Sequence, residues 1–166
     1  MFERIKSPED MMHHKLAVAM KMEHTNLGML GKNAEESHDE QVSQLMRHHQ
    51  EETRGQIERL NKAFGAFGWE PDEDMHLVIE AQDKESMAEV KTTDDKLVDN
   101  VILQGATATE HHEIAIYEGL IINCQAMGRD DVVQLLQQNL QQEQHTLDEV
   151  RGSLQRVATS SVGQTA

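Results

Sequence analysis

The chain has 166 residues, enough for one domain with a substantial core. Its formal net charge of -15 excludes DNA and anionic membrane surfaces as natural partners, because both need a cationic face. Aromatics make up 3%, too few for base stacking, and Cys124 is the only cysteine, so no internal disulfide forms.

The N-terminal stretch MFERIKSPED is charged and has no apolar heart. A secretory signal is therefore not expected, nor is a membrane span, and a cytoplasmic location fits. Ser7-Pro8-Glu9-Asp10 reads as a helix start, with Ser7 as cap, Pro8 at the first helical position and Asp10 closing a capping-box-like pair. That helix is predicted to run to about Gly31. The second begins near Glu36 to Asp39 and runs to Phe67, stopped by Gly68. Trp69-Glu70-Pro71-Asp72 breaks the chain, and a short helix follows over about Glu73 to Val90, with Met75, Leu77, Val78 and Ile79 as its apolar residues. Thr92-Thr93-Asp94 caps a fourth helix that ends at Gly128. A fifth runs from about Asp130 to Ala158. The domain is thus residues 7–158, and residues 159–166 are expected to form a flexible polar tail. Nothing reads as a strand. Two tightly joined helix pairs linked by a long connection have the connectivity of a ferritin-like four-helix bundle, all-α, with an extra short helix in the crossover.

Three helical stripes are apolar except at their centres. The last helix presents Leu136, Leu140, Glu143, Leu147, Val150, Leu154 and Val157 on one face. The first presents Leu16, Met20, Glu23, Leu27 and Leu30. The fourth presents Leu103, Ala106, Glu110, Tyr117, Ile121 and Cys124, with Glu113 one turn past Glu110. In antiparallel helices, residues near each midpoint share one height, so these carboxylates converge. On the second helix the inward phase passes through Val42, Leu45, His49, Glu52 or Thr53, Gln56, Leu60 and Phe67, leaving open whether Glu51 or Glu52 faces inward. A buried carboxylate costs several kcal/mol unless it is compensated. Two Fe or Mn ions would compensate about four of them, and oxygen-rich ligation with an occasional imidazole suits those metals. The candidate ligands are Glu23, His49, Glu52, Glu110, Glu113 and Glu143, with Glu52 or Glu110 as bridges. Tyr117, one turn beyond Glu113, is core or else a hydrogen-bonding or redox-active neighbour. None of the candidate glutamates is followed by a histidine three residues on; His49-x-x-Glu52 reverses the order, and His145 lies about 200° around the helix from Glu143. The bland alternative is a network in which Arg54, Arg59 or lysines neutralise the glutamates.

Two segments resemble a known family. RHHQEETRGQIERLNKAF (Arg47 to Phe64) is similar to the His-x-Glu-Glu-Thr-x-Gly-Gln-x-x-Arg-Leu stretch of the bacterial YciE/YciF family of ferritin-like proteins. The segment from Ala108 to Val150 is similar to that family's Glu-His-x-Glu-Ile-Ala-x-Tyr helix and the helix after it. The resemblance covers residues 7–158. It implies a rubrerythrin-like bundle, a homodimer, a dinuclear metal site and an association with stress responses. The chain departs from relatives at Gln141, Gln142 and Leu147, where they carry more acids, and at His76, where they often carry Glu. Three functions follow as expectations: a di-iron or di-manganese oxidoreductase acting on O2 or peroxide, iron sequestration, or a non-enzymatic partner-binding stress protein with a degenerate or single-metal site.

Overall fold

The computed structural model describes residues 4–163. Five helices follow in order: α1 (Pro8–Glu36), α2 (Glu40–Phe67), α3 (Leu77–Thr92), α4 (Val98–Ala126) and α5 (Asp130–Gly163). Ser7 caps α1 by accepting from the Asp10 amide, as the sequence predicts. Asp10, however, takes the Lys6 amide rather than that of Ser7, one residue earlier than a standard capping box. Asp39 caps α2 through the amides of Gln41 and Val42. Gly68 and Gly128 close α2 and α4 in the left-handed region, at φ 76° and 68°.

Three boundaries differ from expectation. Gly31 does not end α1, which continues to Glu36. A Cβ at Gly31 would meet Gln50 Nε2 at 2.8 Å, and Gln50 donates to the Leu27 carbonyl at 3.0 Å. The glycine there admits a side chain from α2 rather than stopping a helix. The short helix α3 begins at Leu77, so Met75 lies outside it. Met75, Leu77 and Val78 are more than half exposed, and Ile79 alone of the four enters the core. Thr93 closes α3 instead of opening α4, whose first residues have no side-chain cap. The polar stretch from residue 159 is helical as far as Gly163, and residues 164–166 lie outside the described residues.

The most extensive pairings are α1 with α2 and α4 with α5; α2 also packs on α5 and α1 on α4, while α3 lies over α1 and α4. Cross-links fix the directions. Leu27 meets Gln50 while Ala34 meets Ser43, and Glu23 meets Tyr117 while Asn26 meets Glu113. Both pairings run antiparallel. Likewise Gln142 meets Glu52 while Arg156 meets Asp39. This is the ferritin-like bundle, with α3 in the crossover.

The core is two apolar clusters, not one. The first joins Met12 to Met22, Leu60 to Phe64, Tyr117 to Cys124 and Val132 to Leu136. The second joins Leu30, Ala34, Val42, Met46, Ile102, Leu103, Val150 and Val157. Every helix of the bundle passes from one cluster to the other through a short polar stretch. These stretches lie side by side, so a single polar storey separates two greasy halves.

Candidate metal centre

The polar storey holds Glu23 and Asn26 of α1, His49, Thr53 and Gln56 of α2, Glu110 and Glu113 of α4, and Asn139, Glu143 and Thr146 of α5. Glu23, Glu113 and Glu143 have no measurable exposure, and His49 and Glu110 are 1% exposed. His49 stands between two carboxylates. Its Nδ1 is 3.3 Å from Glu110 Oε1, and its Nε2 is 3.3 Å from Glu143 Oε2. A neutral imidazole has one N–H and can serve only one of them. Ion-pair distance is reached on the Nδ1 side without hydrogen-bond alignment, and Nδ1 has no hydrogen-bond partner.

Burial lowers the pKa of His49 to about 4, so the ring is neutral at pH 7 and brings no charge. Burial is also the main force pushing Glu143 up to about 8. Glu23, Glu110 and Glu113 are raised well above the carboxylate range, first by burial and then by repulsion from Glu143. Among the described residues no lysine or arginine forms an ion pair with any of the four. Arg54 goes to Glu51 on the surface. Arg59 donates to Asn139 and Gln142, and acts on Glu23 and Glu143 only through its field. The arginine-neutralised network therefore does not form.

Several polar atoms of the storey are buried without a hydrogen bond of regular geometry: Glu23 Oε2, Asn26 Oδ1, His49 Nδ1, both carboxamide atoms of Gln56, Glu110 Oε2 and Glu143 Oε1, although Glu143 lies close enough to Glu110 and Gln56 to interact with both. Orphaned acceptors at this density are costly unless something cationic or donating lies among them. One ligand atom from each of His49, Glu110, Glu113 and Glu143 falls within 4.8 Å of the others. A divalent ion with bonds of about 2.0–2.5 Å spans about 4–5 Å between opposite ligands. The donor set, three carboxylates and one imidazole, suits a hard-to-borderline metal such as Fe or Mn. The residues fit a metal.

Not every candidate from the sequence joins that cluster. Glu23 lies in the same storey, but its Oε1 accepts a short hydrogen bond from the Tyr117 hydroxyl, and its Oε2 remains free. Glu52 sits half-buried on the α2–α5 seam, accepting from Gln142 Nε2 at 3.4 Å and Thr146 Oγ1 at 3.3 Å. Glu51 is exposed; the inward phase of α2 passes through Thr53 and Gln56. His145 is exposed beside Glu149. His76 is buried, away from the storey, against His112.

The supporting residues escape a search for charged ligands. Asn26 donates its Nδ2 to both oxygens of Glu113, at 3.0 and 3.1 Å. Asn139 donates to the Tyr117 hydroxyl at 2.8 Å and to the Gln56 carbonyl at 3.3 Å. Tyr117 thus stands between an amide and a carboxylate, and burial keeps its O–H protonated. Asn26 is three residues after Glu23, and Asn139 is four before Glu143. A neutral polar residue one turn from a buried glutamate is the signal that would have found both.

Residues 7–163 match the family described as domain of unknown function DUF892, and the chain belongs to it. Protein YciF of Escherichia coli strain K12 is 29% identical over 144 residues, covering 86% of this chain and 87% of that protein. The crystal structure of the E. coli stress protein YciF superposes with a TM-score of 0.87 at 25% identity, covering 93% of this chain and 99% of that one. YcfI of Rhodopseudomonas palustris, described as a candidate structural protein, matches at 32% identity and the same TM-score, over 91% and 98% of the two chains. A structure described as ferritin-like, diiron-carboxylate proteins from Bacillus anthracis matches in fold, with a TM-score of 0.71 at 15% identity over 90% and 99% of the chains.

Proposed function

We propose that this member of the DUF892 family is a stress-associated metalloprotein that binds Fe or Mn in its central storey. His49, Glu110, Glu113 and Glu143 form the principal position. Glu23 Oε2, Glu143 Oε1 and the carboxamide of Gln56 offer donors for a second ion beside it. A redox-active metal there would supply electrons to O2 or peroxide. The observation that carries this reading is four buried carboxylates that, among the described residues, form no ion pair with a lysine or arginine. The chain's own residues do the rest. Asn26 orients Glu113, Tyr117 holds a proton against Glu23, and the apolar clusters above and below keep bulk water out.

A second reading has its own support. Glu23 is held by Tyr117 and stands outside the four-residue cluster, and Glu52 is outside the storey. That favours a single tightly held ion and a structural role. Metal analysis of protein purified from iron- and manganese-supplemented cells separates the two. About two equivalents, falling in Glu23→Gln, support the dinuclear form; one equivalent, indifferent to Glu23, supports the mononuclear form. Less than about half an equivalent, unchanged by Glu110→Ala, removes the metal reading. We further propose a homodimer in the cytoplasm. No helix among the described residues is long and apolar enough to cross a membrane.

A further inference from the structure

Where the crossover lies on the bundle, two imidazoles meet end to end. His76 caps the start of α3, and His112 projects from α4. Their Nε2 atoms are 3.0 Å apart, with ring centroids at 5.0 Å and planes at 68°. His76 is 7% exposed and His112 is half-buried, so one side of the pair is open to solvent. Two N–H groups cannot face each other at this distance, so at least one nitrogen presents a bare lone pair. His76 Nδ1 accepts from the Ile79 amide at 3.5 Å, which places the His76 proton on Nε2, aimed at His112.

In the metal-free chain the 3.0 Å contact is an N–H···N hydrogen bond, and two nitrogens sharing one ion stand at nearly the same distance. With metal–nitrogen bonds of about 2.0–2.1 Å, two nitrogens lie about 2.9 Å apart at a right angle and about 3.4 Å apart at the tetrahedral angle. The observed separation falls between these limits, so a small rotation of the rings would turn both lone pairs toward one ion without drawing the nitrogens apart. We propose that His76 and His112 form a second, nitrogen-based site for a borderline divalent cation of the Zn2+, Ni2+ or Cu2+ class. Such ions prefer imidazole, whereas the central storey offers mostly carboxylate. Solvent fills the remaining positions.

Coordination moves the His76 proton from Nε2 to Nδ1, and no proton leaves the protein. It sacrifices the Ile79 amide contact, already at the limit of hydrogen bonding. In return it ties the crossover to the bundle. Among the described residues of α3 only Ile79, Ser86 and Val90 are buried, and the rest of its hold is polar: Lys32 to Asp83, Lys21 to Glu80 and Gln82 to Thr109. A bound ion replaces the single hydrogen bond between the two rings with two coordinate bonds.

The test titrates Ni2+ into the metal-free full chain and into the His76→Ala, His112→Gln and Glu143→Gln variants, with circular dichroism confirming that each folds. One equivalent of Ni2+ should disappear in either histidine variant and persist in Glu143→Gln. Amide exchange across residues 77–92 should slow with Ni2+ in the parent chain and stay unchanged in both histidine variants. Equal Ni2+ binding by the parent and both histidine variants overturns the site. So does loss in only one of the two, since the ion would then sit elsewhere. Loss of the same equivalent in Glu143→Gln assigns it to the central storey and also overturns the proposal.

Discussion

Replacing Glu143 with glutamine should stabilise the metal-free protein and impair the metal-bound one. Glu143 is fully buried, and its pKa is pushed up to about 8 from 4.5. The folded state thus keeps a proton that the unfolded chain releases. A carboxylate raised in this way costs stability as pH climbs above 4.5, and the cost levels off above 8, where both states are ionised. At ~1.4 kcal/mol per pH unit, the penalty at pH 7 is about 3 kcal/mol. His49 works on the other side: its pKa falls to about 4 from 6.5, so its penalty is felt in acid and has faded by pH 6.5. Between pH 6.5 and 8 the carboxylates alone set the slope. Glutamine keeps the shape, can still accept from His49 and cannot ionise. Above pH 8, where Glu143 ionises, it also removes the charge that repels Glu23, Glu110 and Glu113. Thermal melts of chelator-treated protein should show Glu143→Gln melting roughly 6–12 °C higher at pH 7, at about 2–4 °C per kcal/mol for a domain of this size. The gap should widen toward pH 8 and close near pH 4.5. Saturating Mn2+ should reverse the order, because only the parent chain then gains binding free energy. A metal-free Glu143→Gln protein less stable than its parent at pH 8 would refute the reasoning, since the carboxylate would then be held by favourable partners.

Other substitutions probe the shell around the storey. Asn26→Ala frees both oxygens of Glu113 and should weaken metal binding about 10–100-fold by calorimetric titration, as loss of an orienting partner does elsewhere. Tyr117→Phe removes the donor to Glu23 and the acceptor for Asn139. It should cost roughly 1–3 kcal/mol in denaturant unfolding of the metal-free form while leaving the metal count unchanged. Gly28→Ala and Gly31→Ala test the reading of α1. A Cβ at Gly28 meets nothing within 4 Å, so alanine there should add about 1 kcal/mol, whereas at Gly31 the clash with Gln50 should cancel that gain. Equal effects at the two sites would show that Gln50 yields freely.

The bundle was legible because its signals are local and repeated. Ser7-Pro8, Gly68 and Gly128 are each read from one or two residues, and the stripes on α1, α4 and α5 extend over many turns. The errors fall where tertiary contact overrides a local cue. Gly31 carries a stop signal in the sequence, but in the fold it is an opening for Gln50. Met75, Leu77 and Val78 are apolar, so they suggest a buried face. Yet α3 starts too late and seats too shallowly to bury any of its first apolar residues but Ile79. A helix resting on a bundle reveals its phase only through what lies beneath it.

The central storey was legible for a different reason: a buried glutamate interrupts a long apolar stripe and is conspicuous there. That argument works one helix at a time, and it fails on α2, whose inward face is itself polar. His49, Glu52, Thr53 and Gln56 are all plausible by phase, and a rotation of about 100° decides between Glu52 and Thr53. The structure places Thr53 inside and hands Glu52 to Gln142 and Thr146 of α5. The consequence is chemical. With Glu52 on the seam, α2 contributes an imidazole and a carboxamide to the storey but no carboxylate, so the negative charge lies on α1, α4 and α5. Of those, α4 alone brings two acids, one turn apart, and Asn26 braces the second of them from α1. An ion held by Glu110, Glu113, Glu143 and His49, as proposed, would draw two of its four ligands from α4. The region between Glu23 and Gln56 is left with fewer charges and more orphaned neutral atoms. If two ions bind, they bind unequally, and the weaker should be the one that depends on Glu23.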